Sequence, residues 1–153
     1  MNSSIIRITK FLLYVYSFFI LNIAFGEEYI LESSSRTISK ELLIDNNFKY
    51  KIIEIDGRWK DSKGEYGINK CYGSIKSEND LINLEAYCEK TDSVGDKAWF
   101  TIIRNSEMNA GVGNSNYIAA TGKYKRLIGL KCPYAVKYFD KEFNFYIHKC
   151  TIN

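Results

Sequence analysis

Residues 119–150, AATGKYKRLIGLKCPYAVKYFDKEFNFYIHKC, carry the reading that decides the fold. Two apolar, aromatic-rich runs, 130–139 and 143–150, flank Asp140, Lys141 and Glu142, a polar triplet suited to a three-residue hairpin loop. With Phe139 set opposite Phe143, counting back along the arms places Cys132 opposite Cys150. Side chains alternate along a strand, so this register sorts the hairpin into two faces. Cys132, Tyr134, Val136 and Tyr138 share one with Asn144, Tyr146, His148 and Cys150. Pro133, Ala135, Lys137 and Phe139 share the other with Phe143, Phe145, Ile147 and Lys149. The second face is the better core candidate, which leaves the first as a tyrosine-rich surface or the lining of a polar-aromatic cavity. Pro133 has no N–H for a ladder, so regular pairing is expected to begin after it.

The same counting applies upstream. Turn chemistry at Asp61-Ser62-Lys63-Gly64, at 78–81 and at Asp92-Ser93-Val94-Gly95 separates strands expected at 48–59, 65–76, 82–91 and 97–104. Pairing Ser77 with Ile82 puts Ile75 opposite Leu84, Gly73 opposite Ala86 and Cys71 opposite Cys88, all on one face. Pairing Thr91 with Asp96 then sets Trp99 beside Cys88, Thr101 beside Ala86 and Ile103 beside Leu84. The expectation is one mostly apolar face shared by three strands, with Trp99 packed on a Cys71–Cys88 bridge; an interior filled by Ile75, Leu84, Trp99 and Ile103 would leave no room for a ligand.

The N-terminus reads as a secretory signal peptide over residues 1–26. Arg7 and Lys10 form a basic start, 11–25 an apolar core, and Ala24-Phe25-Gly26 a small-x-small cleavage site. About 15 apolar residues interrupted by Tyr14, Tyr16, Ser17 and Asn22 fall short of the roughly 20 that a spanning helix needs. The expected location is therefore periplasmic or extracellular, with no stable membrane span after cleavage.

The chain has 153 residues and a formal net charge of +3 from 21 basic and 18 acidic side chains. The leader holds two of those bases and no acid, which leaves +1 and no charge argument for nucleic acid. About 127 residues remain, enough for one domain. Residues 27–47 read as an N-terminal arm, a short strand or helix, and 48–153 as the β domain.

All four cysteines, Cys71, Cys88, Cys132 and Cys150, lie in the exported part, an even number in an oxidising compartment. No C-x-x-C knuckle occurs and there is one histidine, so disulfides rather than structural zinc are expected. Residues 105–116 read as a long polar connection. Its glycines neither follow a buried parallel strand nor open a helix, which argues against a phosphate loop.

The run Ala120-Thr121-Gly122-Lys123-Tyr124-Lys125-Arg126-Leu127-Ile128-Gly129 resembles the G-T-G-x-[YF]-x-x-x-x-G turn of the allene oxide cyclase and dirigent-like β-barrels, with Ala120 in place of the first glycine. That resemblance implies a closed eight-stranded antiparallel barrel. Gly57-Arg58-Trp59 and Thr91-Asp92 are similar to the G-x-W and T-D-Y signatures of lipocalins, although a lipocalin G-x-W opens the first strand and this one ends a strand. Both resemblances rest on structural turns and carry over no catalytic residue.

No arrangement of residues specifies a reaction, a cofactor or a metal. There is no G-x-S-x-G elbow, and oxidised cysteines cannot act as nucleophiles. His148 beside Tyr134 and Tyr146 invites an acid–base reading. A lone strand histidine among tyrosines is more often structural, so no catalytic residue is assigned. Glu54, Asp56, Glu85, Glu89, Asp92 and Asp96 read as solvated acids, and Lys123, Lys125, Arg126 and Lys131 around Tyr124 as a solvated basic turn. The reading is an exported all-β protein, a small antiparallel barrel or meander of about seven to eight strands with two disulfides. Trp99, Tyr134, Tyr146 and His148 are its candidate pocket. The expected role is non-catalytic binding of a small, partly apolar molecule. The alternatives are a structural or interaction module of the cell envelope and, by fold analogy alone, a cyclase- or isomerase-type enzyme.

Overall fold

The computed structural model describes residues 26–79, 81–107, 111–140 and 142–152. The leader expected over residues 1–26 thus lies outside the described residues except for Gly26. Eight antiparallel strands follow in chain order: β1 (Glu27–Leu43), β2 (Phe48–Asp61), β3 (Tyr66–Glu78), β4 (Leu81–Asp92), β5 (Lys97–Glu107), β6 (Val112–Ala120), β7 (Lys131–Tyr138) and β8 (Phe143–Ile152). Each pairs with the next and β1 pairs with β8, so the sheet closes into a barrel and leaves no unpaired edge. A 3-10 helix, Gly122–Leu127, joins β6 to β7.

Two turns use one device. The Asp61 N–H donates to the Glu65 carbonyl at 2.8 Å, while Asp61 Oδ1 accepts the N–H groups of Lys63 and Glu65. Asp92 repeats this with Val94 and Asp96, and Gly64 and Gly95 supply the positive φ of 83° and 95° that such a loop requires. Asp92 therefore sits in the ladder opposite Asp96, and only Ser93, Val94 and Gly95 form the loop.

That geometry corrects the expected β4–β5 register by one residue. Thr91 pairs with Lys97 rather than Asp96, and Cys88 faces Phe100 rather than Trp99. Phe100, Ile102 and Arg104 point inward, whereas Trp99 and Ile103 lie on the outer face. The β3–β4 register agrees with expectation throughout, Ser77 with Ile82 and Cys71 with Cys88 included. Cys71–Cys88 and Cys132–Cys150 are both disulfides, with Cα atoms 4.0 and 4.6 Å apart. Each closes a loop whose restraint on the unfolded chain is worth about 3 kcal/mol in the chain-entropy model.

In the C-terminal hairpin the β7–β8 pairing begins at Tyr134↔His148, directly after Pro133. The choice of core face is reversed. Tyr134, Asn144, His148, Cys132 and Cys150 are buried, while Phe139, Phe143 and Phe145 are 80%, 47% and 57% exposed. Closure against β1 sets this parity, because Tyr29 and Leu31 face inward and pair with Cys150 and His148.

Two further segments differ from expectation. Most of the arm at 27–47 is the 17-residue strand β1, which holds β2 and β8 together. Much of the expected connection at 105–116 is strand, with β5 running to Glu107 and β6 starting at Val112. No helix among the described residues is long and apolar enough to cross a membrane. The outer face carries Glu32, Arg36, Glu54, Lys60, Lys70 and Glu89 in ion pairs, interspersed with exposed apolar side chains such as Ile52, Ile68 and Phe145.

Candidate functional site

Inward parity in a small barrel concentrates chemistry along its axis, because every second residue of each strand shares one narrow interior. Two residues beyond Cys88 along β4 stands Lys90, and two beyond that stands Asp92. Lys90 is fully buried and Asp92 is 6% exposed. They define the floor of the interior.

The 3-10 helix plugs this end of the barrel by burying Tyr124 and Leu127. The Tyr124 hydroxyl donates to Asp92 Oδ2 at 3.1 Å, and Lys123 Nζ lies 2.9 Å from the same oxygen and 2.7 Å from Glu65 Oε2. Burial pushes the Asp92 carboxyl upward. Lys123, the Val94 and Asp96 N–H groups and Tyr124 outweigh it and hold the acid below its ordinary range. The basic turn expected to be solvated is thus the plug, its tyrosine turned inward and Lys123 tied to two carboxylates.

Lys90 stands in an aromatic cage. Its Nζ is 3.8 Å from the ring centre of Tyr124, 4.4 Å from Trp59, 5.0 Å from Tyr29 and 5.9 Å from Tyr117. It donates a 2.5 Å hydrogen bond to the Tyr29 hydroxyl. Among the described residues no carboxylate pairs with it directly. Burial brings the amine down to about 7, against the pull of Asp61, Asp92 and Glu65 and with the help of Lys123. One oxygen of Asp61, Oδ2, is buried without a hydrogen-bond partner among the described residues.

Above the cage is the second polar centre. His148 is fully buried; its Nε2 lies 3.0 Å from the Tyr117 hydroxyl, and its Nδ1 lies 3.0 Å from Ser115 Oγ and 3.1 Å from the Tyr146 hydroxyl. Burial, with the Lys90 charge second, drops the imidazole to about 3, so it is neutral at physiological pH. Burial likewise raises Tyr29, Tyr117 and Tyr146, which keeps all three phenols protonated. The tyrosine–histidine–serine cluster is therefore a neutral hydrogen-bonded network beside the Lys90 cage, and its Tyr146 reaches the cavity wall.

That cavity has a volume of about 70 Å³. This is several times the roughly 10–15 Å³ that one water needs. It runs from Lys90 and Trp59 at the floor to Thr37, Tyr138 and Asn144 at the end nearest the β7–β8 turn. Its walls are mainly apolar, with Leu31, Ile53, Leu84, Phe100 and Ile102 prominent, and Tyr134 and Tyr146 also line it. A polar strip on one side consists of Ser33, Ser35 and Asn69, linked by hydrogen bonds of 2.9 and 3.0 Å. Gly57 makes room for the strip, since a Cβ there would meet Ser35 Oγ at 2.2 Å and Asn69 Oδ1 at 2.6 Å.

Of the four residues expected to form a pocket, the structure brings three together. Tyr134, Tyr146 and His148 share the interior, and Tyr134 and Tyr146 stack at 5.0 Å between ring centres. Trp99 is excluded from it. On the outer face its Nε1 donates to Glu89 Oε2 at 2.8 Å. The residues missed in the sequence are Lys90, Tyr29, Tyr117, Ser115 and Asp61. For Lys90 and Asp92 the signal was available, because period-2 counting onward from the inward Cys88 lands on both.

Comparison with protein-family models and with curated proteins finds no match for this chain.

Proposed function

We propose that this chain is an exported binding protein for a small, partly apolar molecule held inside the barrel. The observation that carries the reading is the cavity of about 70 Å³, with mainly apolar walls and the Ser33–Ser35–Asn69 strip as its hydrogen-bonding side. Binding pockets combine a largely apolar lining with a few oriented polar groups. The volume selects a ligand of a few heavy atoms rather than a lipid or a multi-ring compound. Export is supported by the leader and by two disulfides, bonds that persist in oxidising compartments. The turn at 120–129, which resembles that of the allene oxide cyclase and dirigent-like barrels, supports the same architecture-level placement.

The test is untargeted mass spectrometry of small molecules released from protein purified out of its native compartment, beside a Val136→Trp variant. Val136 lines the cavity, and an indole there fills it. The reading requires a compound of a few heavy atoms that co-purifies with the native protein and is lost from the variant. Recovery of the same compounds from both proteins, or of none, overturns it.

A further inference from the structure

The floor of the cavity holds a group that simple apolar binding does not use. Lys90 lines the cavity, is fully buried, and has aromatic faces around Nζ where a buried lysine ordinarily has a carboxylate. From these contacts we propose that Lys90 is a nucleophilic amine that captures a small aldehyde or unhindered ketone from the cavity as an imine. The inference rests on the binding reading above and names the chemical class of its ligand.

The surroundings supply what the reaction needs. Around Nζ stand Tyr29 of β1, Asp61 of β2, Glu65, Asp92 of β4, Tyr117 of β6, Lys123 and Tyr124 of the 3-10 helix, and His148 of β8. The carboxylates favour the ammonium, but burial and Lys123 outweigh them, so a substantial fraction of the amine is neutral near pH 7. A neutral amine has the free electron pair that addition requires. That pair attacks the carbonyl carbon and forms the C–N bond, while the carbonyl π pair moves to oxygen. Tyr29, 2.5 Å from Nζ and held protonated by burial, passes the displaced amine proton to that oxygen. The resulting hydroxyl leaves with the second amine proton as water, and the C=N bond closes. One carbonyl compound and one amine give one imine and one water, with no oxidant or reductant. The Asp61 carboxylate, whose Oδ2 is buried, interacts with the Tyr29 hydroxyl and is a nearby acceptor for the proton that Tyr29 handles.

Apolar walls and small volume set the ligand's size, and the Ser33–Asn69 strip suits a second oxygen on it. A carboxylate ligand would seek the ammonium instead, and it serves as a control.

The experiment exposes the folded, disulfide-bonded protein briefly to butanal with cyanoborohydride at neutral pH, then maps N-butyl lysines by peptide mass spectrometry. An ordinary surface lysine is almost wholly protonated at that pH. The Lys90 peptide is expected to gain the butyl group at least about tenfold faster than any other lysine peptide. Val136→Trp should slow that labelling while leaving surface lysines unaffected, which gives a readout that does not depend on a Lys90 variant folding. Parallel arms use 1-butanol and butyrate, with binding followed through the NMR resonances of Val136 and Tyr146. If butanol shifts those resonances while Lys90 remains unlabelled, the imine falls and the binding reading stands. If butanol leaves them unmoved and Lys90 remains unlabelled, both fall. Butyrate binding more tightly than butanol, without labelling of Lys90 by butanal, identifies an anion site and overturns the proposal.

Discussion

Lys90 Nζ lies 3.8 Å from the centre of the Tyr124 ring, so a buried lysine of β4 and the helix that plugs the barrel hold each other in place. The phenol also donates to Asp92, two residues from the lysine along the same strand face. Tyr124→Ala removes the ring and the donor together. Its expected cost is about 3–5 kcal/mol, the range for emptying a packed aromatic site. Tyr124→Phe removes only the hydroxyl and should cost about 1–2 kcal/mol, mostly from the buried Asp92 oxygen losing a donor. Urea unfolding of the two variants, analysed at equal m-value, separates the contributions.

Lys90 makes stability depend on pH on the alkaline side. Its folded value of about 7 lies below the ordinary 10.5. Between those values the unfolded chain binds a proton that the native state does not, so stability rises with pH across this window. Below pH 7 both states are protonated, and the full cost of the buried charge is present. Relative to Lys90→Met, the wild type should gain about 1–2 kcal/mol between pH 7.5 and 9. Denaturation midpoints of the pair at several pH values measure it, and a flat difference would refute the assignment.

His148 acts on the acid side with the same sign. Its folded value of about 3 lies below the ordinary 6.5, so the unfolded chain takes up a proton first as pH falls. Stability contributed by the neutral imidazole is full above pH 6.5 and is lost progressively toward pH 3. The loss is on the order of 4 kcal/mol over that interval. His148→Gln should show a flatter acid limb, and a limb parallel to wild type would show that carboxylates alone cause the acid sensitivity.

The two tryptophans should behave oppositely. Trp59 is 3% exposed and donates its indole N–H to the Ile68 carbonyl at 2.9 Å, while Trp99 is half-buried on the outer face. Trp59→Ala is expected to cost about 3–5 kcal/mol. Trp99→Ala should cost about 1 kcal/mol, from lost outer packing and the part-buried hydrogen bond to Glu89. In fluorescence, iodide should quench the emission of Trp99, measured in a Trp59→Phe background, far more than that of Trp59.

Legibility of the fold followed the turns. The β3–β4 hairpin could be counted correctly because its two arms leave one consistent register, with both cysteines and the Ile75–Leu84 pair on a single face. The β4–β5 turn defeated counting by one residue, since nothing in Asp92-Ser93-Val94-Gly95-Asp96 says whether Asp92 belongs to the loop or the ladder. The hydrogen bonds from Val94 and Asp96 to its carboxylate decide that, and Trp99 turns outward as a result. The β7–β8 hairpin had the right register and the wrong inner face. Its outer face carries Phe139, Phe143 and Phe145, which by composition alone is the more apolar of the two.

By itself the sequence determined the strand class, the disulfide pairing and the registers of the β3–β4 and β7–β8 hairpins. Those depend on alternation and on loop lengths, both local along the chain. Only the tertiary structure decided which faces point inward and what meets on the barrel axis. Closure of β1 against β8 is a pairing between residues more than a hundred positions apart, and it sets the parity that buries His148 and Cys150. The same closure brings Tyr29 of the first strand over Lys90 of the fourth, with Tyr124 from the plug on its other side. Residues 119–150 therefore supply a hairpin and a plug, and the interior chemistry arises from what the rest of the barrel places against them.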